Sequence, residues 1–301
     1  MPGIRRCGSA DAGVEEPVVA IATLPTTQTP TWAAELELSF ARRESTTVIE
    51  RRRHRGPLLV QRAFHPEADG TCHVYVLHPP GGVAGGDELS IRADVLEGAA
   101  ALLTTPAATK LYRTRGAGSK LQQTFHVRSG ASLEWLPQET LAFGGSNVVA
   151  ATSVNLDAGA SYIGWEITCL GRPASGDHFE KGSFRQCTEI RRGGELVLVD
   201  RTHVNADGSA RSAAWGWAGR SVYATLVASA TSQALVTELR ASVAPARPGD
   251  VFAVTALSGL TVCRWLGSSA EQARRALSAA WRILRRELMG KPACPPRIWT
   301  T

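Results

Sequence analysis

A short pattern recurs along the chain, in which a glycine and a small residue lead into an apolar run. It reads Gly98-Ala99-Ala100-Ala101-Leu102-Leu103, then Gly130-Ala131-Ser132-Leu133-Glu134-Trp135, then Gly159-Ala160-Ser161-Tyr162-Ile163-Gly164. A strand-like segment precedes each copy: Asp94 to Leu96, Thr124 to Val127 and Ser153 to Leu156. Copies at intervals of roughly thirty residues suit stacked repeats, in which each unit buries an apolar face it cannot bury alone. Each unit would supply a strand, a glycine turn and a strand, glycine being the residue that takes positive φ without a steric penalty. Looser echoes follow at Gly194-Glu195-Leu196-Val197-Leu198-Val199 and Gly249-Asp250-Val251-Phe252-Ala253-Val254. The expected fold is mainly β: one large domain of stacked strands, β-helical or layered like a β-sandwich, with few helices.

Other segments agree. Leu36, Leu38 and Phe40 alternate with Glu35, Glu37 and Ser39, the period of a half-buried strand. Strand-like runs follow at Ser45 to Arg51, Pro57 to Phe64 and Thr71 to Leu77. With 29 Gly and 16 Pro among 301 residues, the chain turns often, and 44% apolar residues suffice for a large core. Residues 1–31 show neither period and read as a disordered tail, leaving 32–301 as the β-rich domain. A single helix stands out, over about 269–289. Leu277, Trp281, Leu284 and Leu288 share one face, Arg274, Arg275, Arg282, Arg285 and Arg286 the other, and Ser268 with Glu271 suggests a capping box. Gly290 and Pro292 end it, and the tail 291–301 should run extended.

No run of about 18 apolar residues is present, and Val18 to Leu24 is too short and wrongly flanked for a signal sequence, so a cytoplasmic, membrane-free protein is expected. Cys7, Cys72, Cys169, Cys187, Cys263 and Cys294 show no metal-site spacing and read mostly as buried thiols. The net charge of +6 includes a patch at Arg51, Arg52, Arg53 and Arg55. It reads first as a solvated loop or edge and, as a binding surface, suits an acidic protein better than nucleic acid, for which no motif is present.

Reaction chemistry is not apparent. The glycine-rich stretch from His78 to Asp87 lacks the Lys-Ser/Thr exit of a phosphate loop and places Asp87 and Glu88 there instead. No histidine pair stands at ligand spacing. Asp177, His178 and Glu180 could meet on one loop and touch a cation transiently. Stacked strands with surface arginine also leave open a β-helical enzyme acting on acidic polysaccharide.

Five segments stand in order along the chain: His78-Pro79-Pro80-Gly81-Gly82 with Gly86-Asp87; Thr104-Thr105-Pro106-Ala107-Ala108-Thr109-Lys110-Leu111-Tyr112-Arg113; Leu133-Glu134-Trp135-Leu136-Pro137-Gln138-Glu139-Thr140; Gly164-Trp165-Glu166 with Leu170-Gly171-Arg172; and Pro295-Pro296-Arg297-Ile298-Trp299. Together they resemble the UreD (UreH) family of urease accessory proteins, and the first is similar to that family's signature loop. The resemblance implies a non-catalytic maturation chaperone that binds urease apoprotein and UreF, which recruits the GTPase UreG carrying nickel. It also implies a mostly β fold with few helices, no stably bound cofactor, and nickel passing at most transiently through an internal channel. Asp87, Glu139, Glu166, Asp177 and Glu180 are the candidate polar groups for such a route, since divalent cations step between carboxylates and water.

Overall fold

A computed structural model describes residues 32–245 and 247–300. The tail assigned to residues 1–31, Cys7 and the run Val18 to Leu24 lie outside the described residues. The chain opens with a hairpin of β1 (Ala33–Arg43) and β2 (Thr46–Arg55), then the short β3 (Leu59–Val60) and β4 (Cys72–Leu77). The repeat region follows as β5 (Glu88–Val95), β6 (Ala100–Thr104), β7 (Thr109–Leu111), β8 (Ser119–Val127), β9 (Ser132–Trp135), β10 (Thr140–Ala142), β11 (Asn147–Leu156) and β12 (Ser161–Leu170). The last part holds β13 (Ser183–Arg192), β14 (Glu195–Asn205), β15 (Val222–Ala228), α1 (Gln233–Ser242), β16 (Val251–Leu257), β17 (Leu260–Gly267) and α2 (Ala270–Met289).

Successive strands of the repeat alternate between two sheets. The first sheet runs β14-β13-β11-β8-β5-β1-β2, the second β16-β17-β15-β12-β9-β6-β4-β3 with β7 and β10 attached beside β12. Within the coil the neighbours are parallel: β5, β8, β11 and β13 in one sheet, β4, β6, β9 and β12 in the other. The three glycine motifs are the corners between sheets, and Gly98, Gly130 and Gly159 hold φ of 68°, 64° and 75° there. Each corner stacks on the next, with Ser132 N–H donating to Ala99 O and Ser161 N–H to Ala131 O. The looser echoes are different. Gly194 sits in the antiparallel β13–β14 turn and Gly249 precedes the antiparallel β16–β17 pair, so neither belongs to the coil.

Between the sheets lies a core that includes Leu36, Phe40, Val95, Leu103, Phe125, Leu133, Val154, Phe184 and Ile190. The second sheet is apolar on its outer face too. There Leu102, Ile163, Trp165, Ile167 and Leu226 pack against Leu277, Trp281 and Leu284 of α2 and Leu235, Val236 and Leu239 of α1. Each such large side chain contributes roughly 1.5–3 kcal/mol on burial, which is why two helices hold to a sheet that β-propensity alone would not cover. Ser269, rather than Ser268, caps α2: its Oγ accepts from Gln272 N–H at 3.3 Å, one residue later than the expected box, and Gly290 ends the helix at φ 65°.

Four expectations are corrected. The helix α1 has no clear sequence signal, because its ten residues include Val, Thr and Ser and its apolar face is covered only by β16 and α2. The run Pro57 to Phe64 yields only Leu59–Val60 and an isolated bridge between Phe64 and His73. The tail ends in a single turn of 3-10 helix, Arg297–Thr300, where Trp299 Nε1–H donates to Thr104 Oγ1 at 2.9 Å. Arg285 does not share a solvent face with the other arginines. It is fully buried, because a carboxylate waits beneath it.

That carboxylate is Glu134, the outward residue of β9. Arg285 Nε donates to both of its oxygens at 3.0 Å, and Trp281 Nε1–H to Oε1 at 2.6 Å. Arg285 Nη2 reaches Glu67 at 2.6 Å and Nη1 the carbonyl of Pro292. Burial works against both carboxylates. For Glu67 the bonds from His73 and Arg285 more than offset it and hold its pKa below the ordinary value; for Glu134 burial prevails and raises it, despite Arg285 and Trp281. Breaking a buried pair strands the remaining charge. Arg285→Leu is therefore expected to lower unfolding free energy by about 3–5 kcal/mol in urea titration, whereas exposed Arg275→Leu should change it by under about 1 kcal/mol. Equal effects of the two would show that the buried cluster does not anchor α2.

Candidate functional site

The inward faces of the coil are not wholly apolar. Gln123 of β8 follows Leu121 and precedes Phe125 in the same phase; Thr152 of β11, Gln186 and Thr188 of β13, and Glu166 and Thr168 of β12 likewise occupy inward positions midway along their strands. Stacking in parallel register brings them into one band, since Thr152 pairs with Gln123 and Thr188. Around them the sheets stand apart enough to leave a cavity of about 210 Å³, lined by Glu166, Gln123, Thr168, Gln186, His78 and Lys110 among others. On its other side Glu166 borders a void of about 20 Å³ with Thr152, Thr188 and Thr225, room for one water.

Thr152 Oγ1 stands 2.5 Å from Glu166 Oε1 and 3.1 Å from Gln123 Oε1. A hydroxyl has one proton to give. A neutral Glu166 can donate to Thr152, which then donates to Gln123; an ionised Glu166 would take that proton and leave Gln123 without it. Burial pushes the Glu166 carboxyl up to about 7, and the Asp200 carboxylate adds to this while the hydroxyls of Thr152 and Thr188 oppose it. Beyond lies an outer groove where Arg264 bridges Asp200, at 3.1 Å, and Tyr223, at 3.2 Å.

The other four candidate carboxylates occupy different surroundings. Asp87 is buried beneath the signature loop, where its Oδ2 accepts from Ala84 N–H at 2.8 Å. Asp177 accepts from the N–H groups of Gly144 and Phe179 and lies 3.6 Å from Arg172. Burial opposes its charge, but those backbone bonds prevail and keep its pKa below the ordinary value. Glu139 pairs with Arg274 of α2. Glu180 is exposed and, with Asp177 and His178, lines an open outer cleft beside Tyr112, Arg113 and Lys181. Glu166 alone among the five is placed on the cavity wall.

The signature loop closes one side of that cavity with His78, Gly81 and Gly82. Pro79 and Pro80 lead into a turn in which Gly81 N–H donates to His78 O at 2.9 Å, with Gly81 at φ 73°. A Cβ on Gly82 would come within 2.2 Å of the Tyr112 ring, so glycine is needed for the approach. Gly86, at φ 88°, returns the chain towards Asp87 and β5. Burial lowers the pKa of His78, with Asp87 opposing. No helix among the described residues is long and apolar enough to cross a membrane. The arginine patch lies on β2, an edge strand, where Arg51, Arg52, Arg53 and Arg55 are all exposed.

Because the folded state raises the Glu166 pKa from 4.5 to about 7, it favours the neutral acid. The corresponding stability is complete below the unfolded pKa and is lost as pH rises to the folded one, by about 3 kcal/mol over that interval. Urea unfolding at about pH 5 and about pH 8 should show this loss, and Glu166→Gln should reduce it. An unchanged pH dependence in the variant would rule out a raised Glu166.

The family model described as UreD urease accessory protein matches residues 33–300. The urease accessory protein UreD of Alkalilimnicola ehrlichii is 45% identical over 272 residues, covering 90% of this chain and 92% of that protein. UreD of Dechloromonas aromatica is 44% identical over 277 residues, covering 90% and 96%, and UreD of Azoarcus sp. is 44% identical over 273 residues, covering 90% and 95%. A match over nearly all the described chain, with the ordered motifs on the loop, the cavity wall and the tail, means that the protein belongs to the UreD family of urease accessory proteins.

Proposed function

We propose that the chain is a non-catalytic scaffold that binds urease apoprotein and, with UreF and UreG, promotes GTP-dependent nickel insertion in the cytoplasm, the nickel ion being cargo. The observation that carries this reading is the polar band inside an otherwise apolar sandwich. Placing Gln123, Glu166 and Gln186, half-buried, and Thr152 and Thr168, buried, between the sheets is costly compared with placing valine or leucine there. A cation crossing the interior needs oxygen donors that release it again, and amide, hydroxyl and carboxyl groups in a line supply weak, exchangeable contacts. Glu166 is the one carboxyl in that line. Its high pKa suits transient binding, because a proton competes with the metal at neutral pH. Asp177 and Glu180 serve at the outer cleft, with Asp177 held mainly by the loop it caps. Asp87 and Glu139 support the scaffold through the loop and through α2.

The test is co-expression with urease subunits and the other accessory proteins at fixed nickel. Glu166→Gln should leave the chain soluble and assembled with its partners yet lower urease activity severalfold, while Glu180→Ala should have a smaller effect. Full activation by Glu166→Gln would overturn the interior route, and full activation without the chain would overturn the role itself.

A further inference from the structure

On the far side of the second sheet from the polar band, a second cluster of metal-type donors forms where the C-terminal segment meets the start of β4. Glu67, His73 and Cys294 each bring one ligand atom within 4.8 Å of the others. Two ligands at about 2.0–2.3 Å from one tetrahedral zinc-like ion stand about 3.3–3.8 Å apart, so closure on an ion requires side-chain movements on the order of 1 Å. His73 is 1% exposed, its Nε2 stands 2.7 Å from Glu67 Oε1, and its Nδ1 has no hydrogen-bond partner among the described residues. Because Nε2 faces Glu67, it is the nitrogen that can share an ion with that carboxylate, the ion replacing the hydrogen bond between them. Glu67 Oε2 accepts no hydrogen bond among the described residues, and Lys291 Nζ stands 3.9 Å from it. Cys294 is half-buried.

The neighbouring cations argue against an added ion, so charge decides. Arg285 and Lys291 supply two positive charges, against the three carboxylates of Glu67, Glu134 and Asp69. Carboxylates therefore outnumber cations in the cluster by one. A divalent cation bound there meets a carboxylate-rich surrounding in spite of Arg285 and Lys291. A thiolate with an imidazole selects a borderline ion of the zinc or nickel type over magnesium or calcium. Three protein ligands also leave a position for water, as exchangeable sites do.

We propose that Glu67, His73 and Cys294 form a binding site for one borderline divalent cation, zinc or nickel, that fastens the C-terminal segment to the second sheet. The sulfur–metal bond forms with loss of the thiol proton to solvent, and no electron is transferred. This site is independent of the interior route, since its residues line neither the 210 Å³ cavity nor the small void beside Glu166.

The test titrates nickel ion alone, and zinc ion alone, into the purified full chain. Nickel should add one equivalent marked by thiolate-to-metal charge-transfer absorption, and zinc should displace it if zinc is the preferred occupant; retention of the band under excess zinc assigns the site to nickel. Cys294→Ser and Cys294→Ala should lose the band and that equivalent while keeping the parent far-ultraviolet dichroism. Cys187→Ser and Glu166→Gln should keep both. Absence of the band in the parent chain, or its persistence in the Cys294 variants, would overturn the site, whichever way the urease-activation experiment turns out.

Discussion

A sheet that is apolar on both faces must be covered twice, and the rest of the architecture answers to that requirement. The first sheet covers one face of the second by the ordinary stacking of coil corners. The other face needs α1 and α2, and the joint is made by a charge buried among tryptophans. Arg285 can sit there only because Glu134 points out from β9 and Glu67 reaches in beside it. Trp165, Trp281 and Trp299 complete the seal, with ring centroids 5.5 to 6.2 Å apart and the Trp165 N–H bonded to Pro137 O. Most of the binding free energy is hydrophobic and non-directional, while the ion cluster fixes where along the sheet the helix lies. Such a cluster is a better device for specificity than for stability.

The coil was legible because its signal is local. A glycine at positive φ, a small residue and an alternating run repeat wherever the chain turns from one sheet into the other, and Gly98, Gly130 and Gly159 carry that information in their own sequence neighbourhoods. Arg285 was not legible. On a helical wheel it belongs with Arg282 and Arg286, and its burial is decided by a residue 151 positions away in sequence. The short α1 failed for a related reason, since its stability comes from β16 and α2. Of the candidate carboxylates, Glu166 had a signal that distance reasoning does not need: it lies in phase with Tyr162 and Leu170 on a strand whose inward residues are otherwise apolar or small. Gln123 and Gln186 carry the same signal, a polar residue in an apolar phase, but each is ordinary alone and the band exists only after stacking.

Asp87 and Asp177 show how a carboxylate can hold a loop together. Both satisfy backbone N–H groups that the turn itself leaves unpaired. The Gly82 approach to Tyr112 and the Asp87 bond to Ala84 are a geometric need of the signature loop, which lies on the cavity wall. The loop's unusual composition therefore reflects the tightness of a boundary between an interior space and the outer cleft, with the chemistry placed on the neighbouring strands.

The clasp between Arg285 and Glu67 joins positions 218 residues apart, and this has a consequence for how the molecule is made. During synthesis the coil can wind from β4 onwards, one corner after another, but its helix-facing side cannot close before residues 270–300 exist. Until then Leu102, Trp165 and Leu226 present an apolar surface to the cell, as slow-closing, non-local topologies do. That apolar face is the part of the coil that the growing chain has no local means of covering.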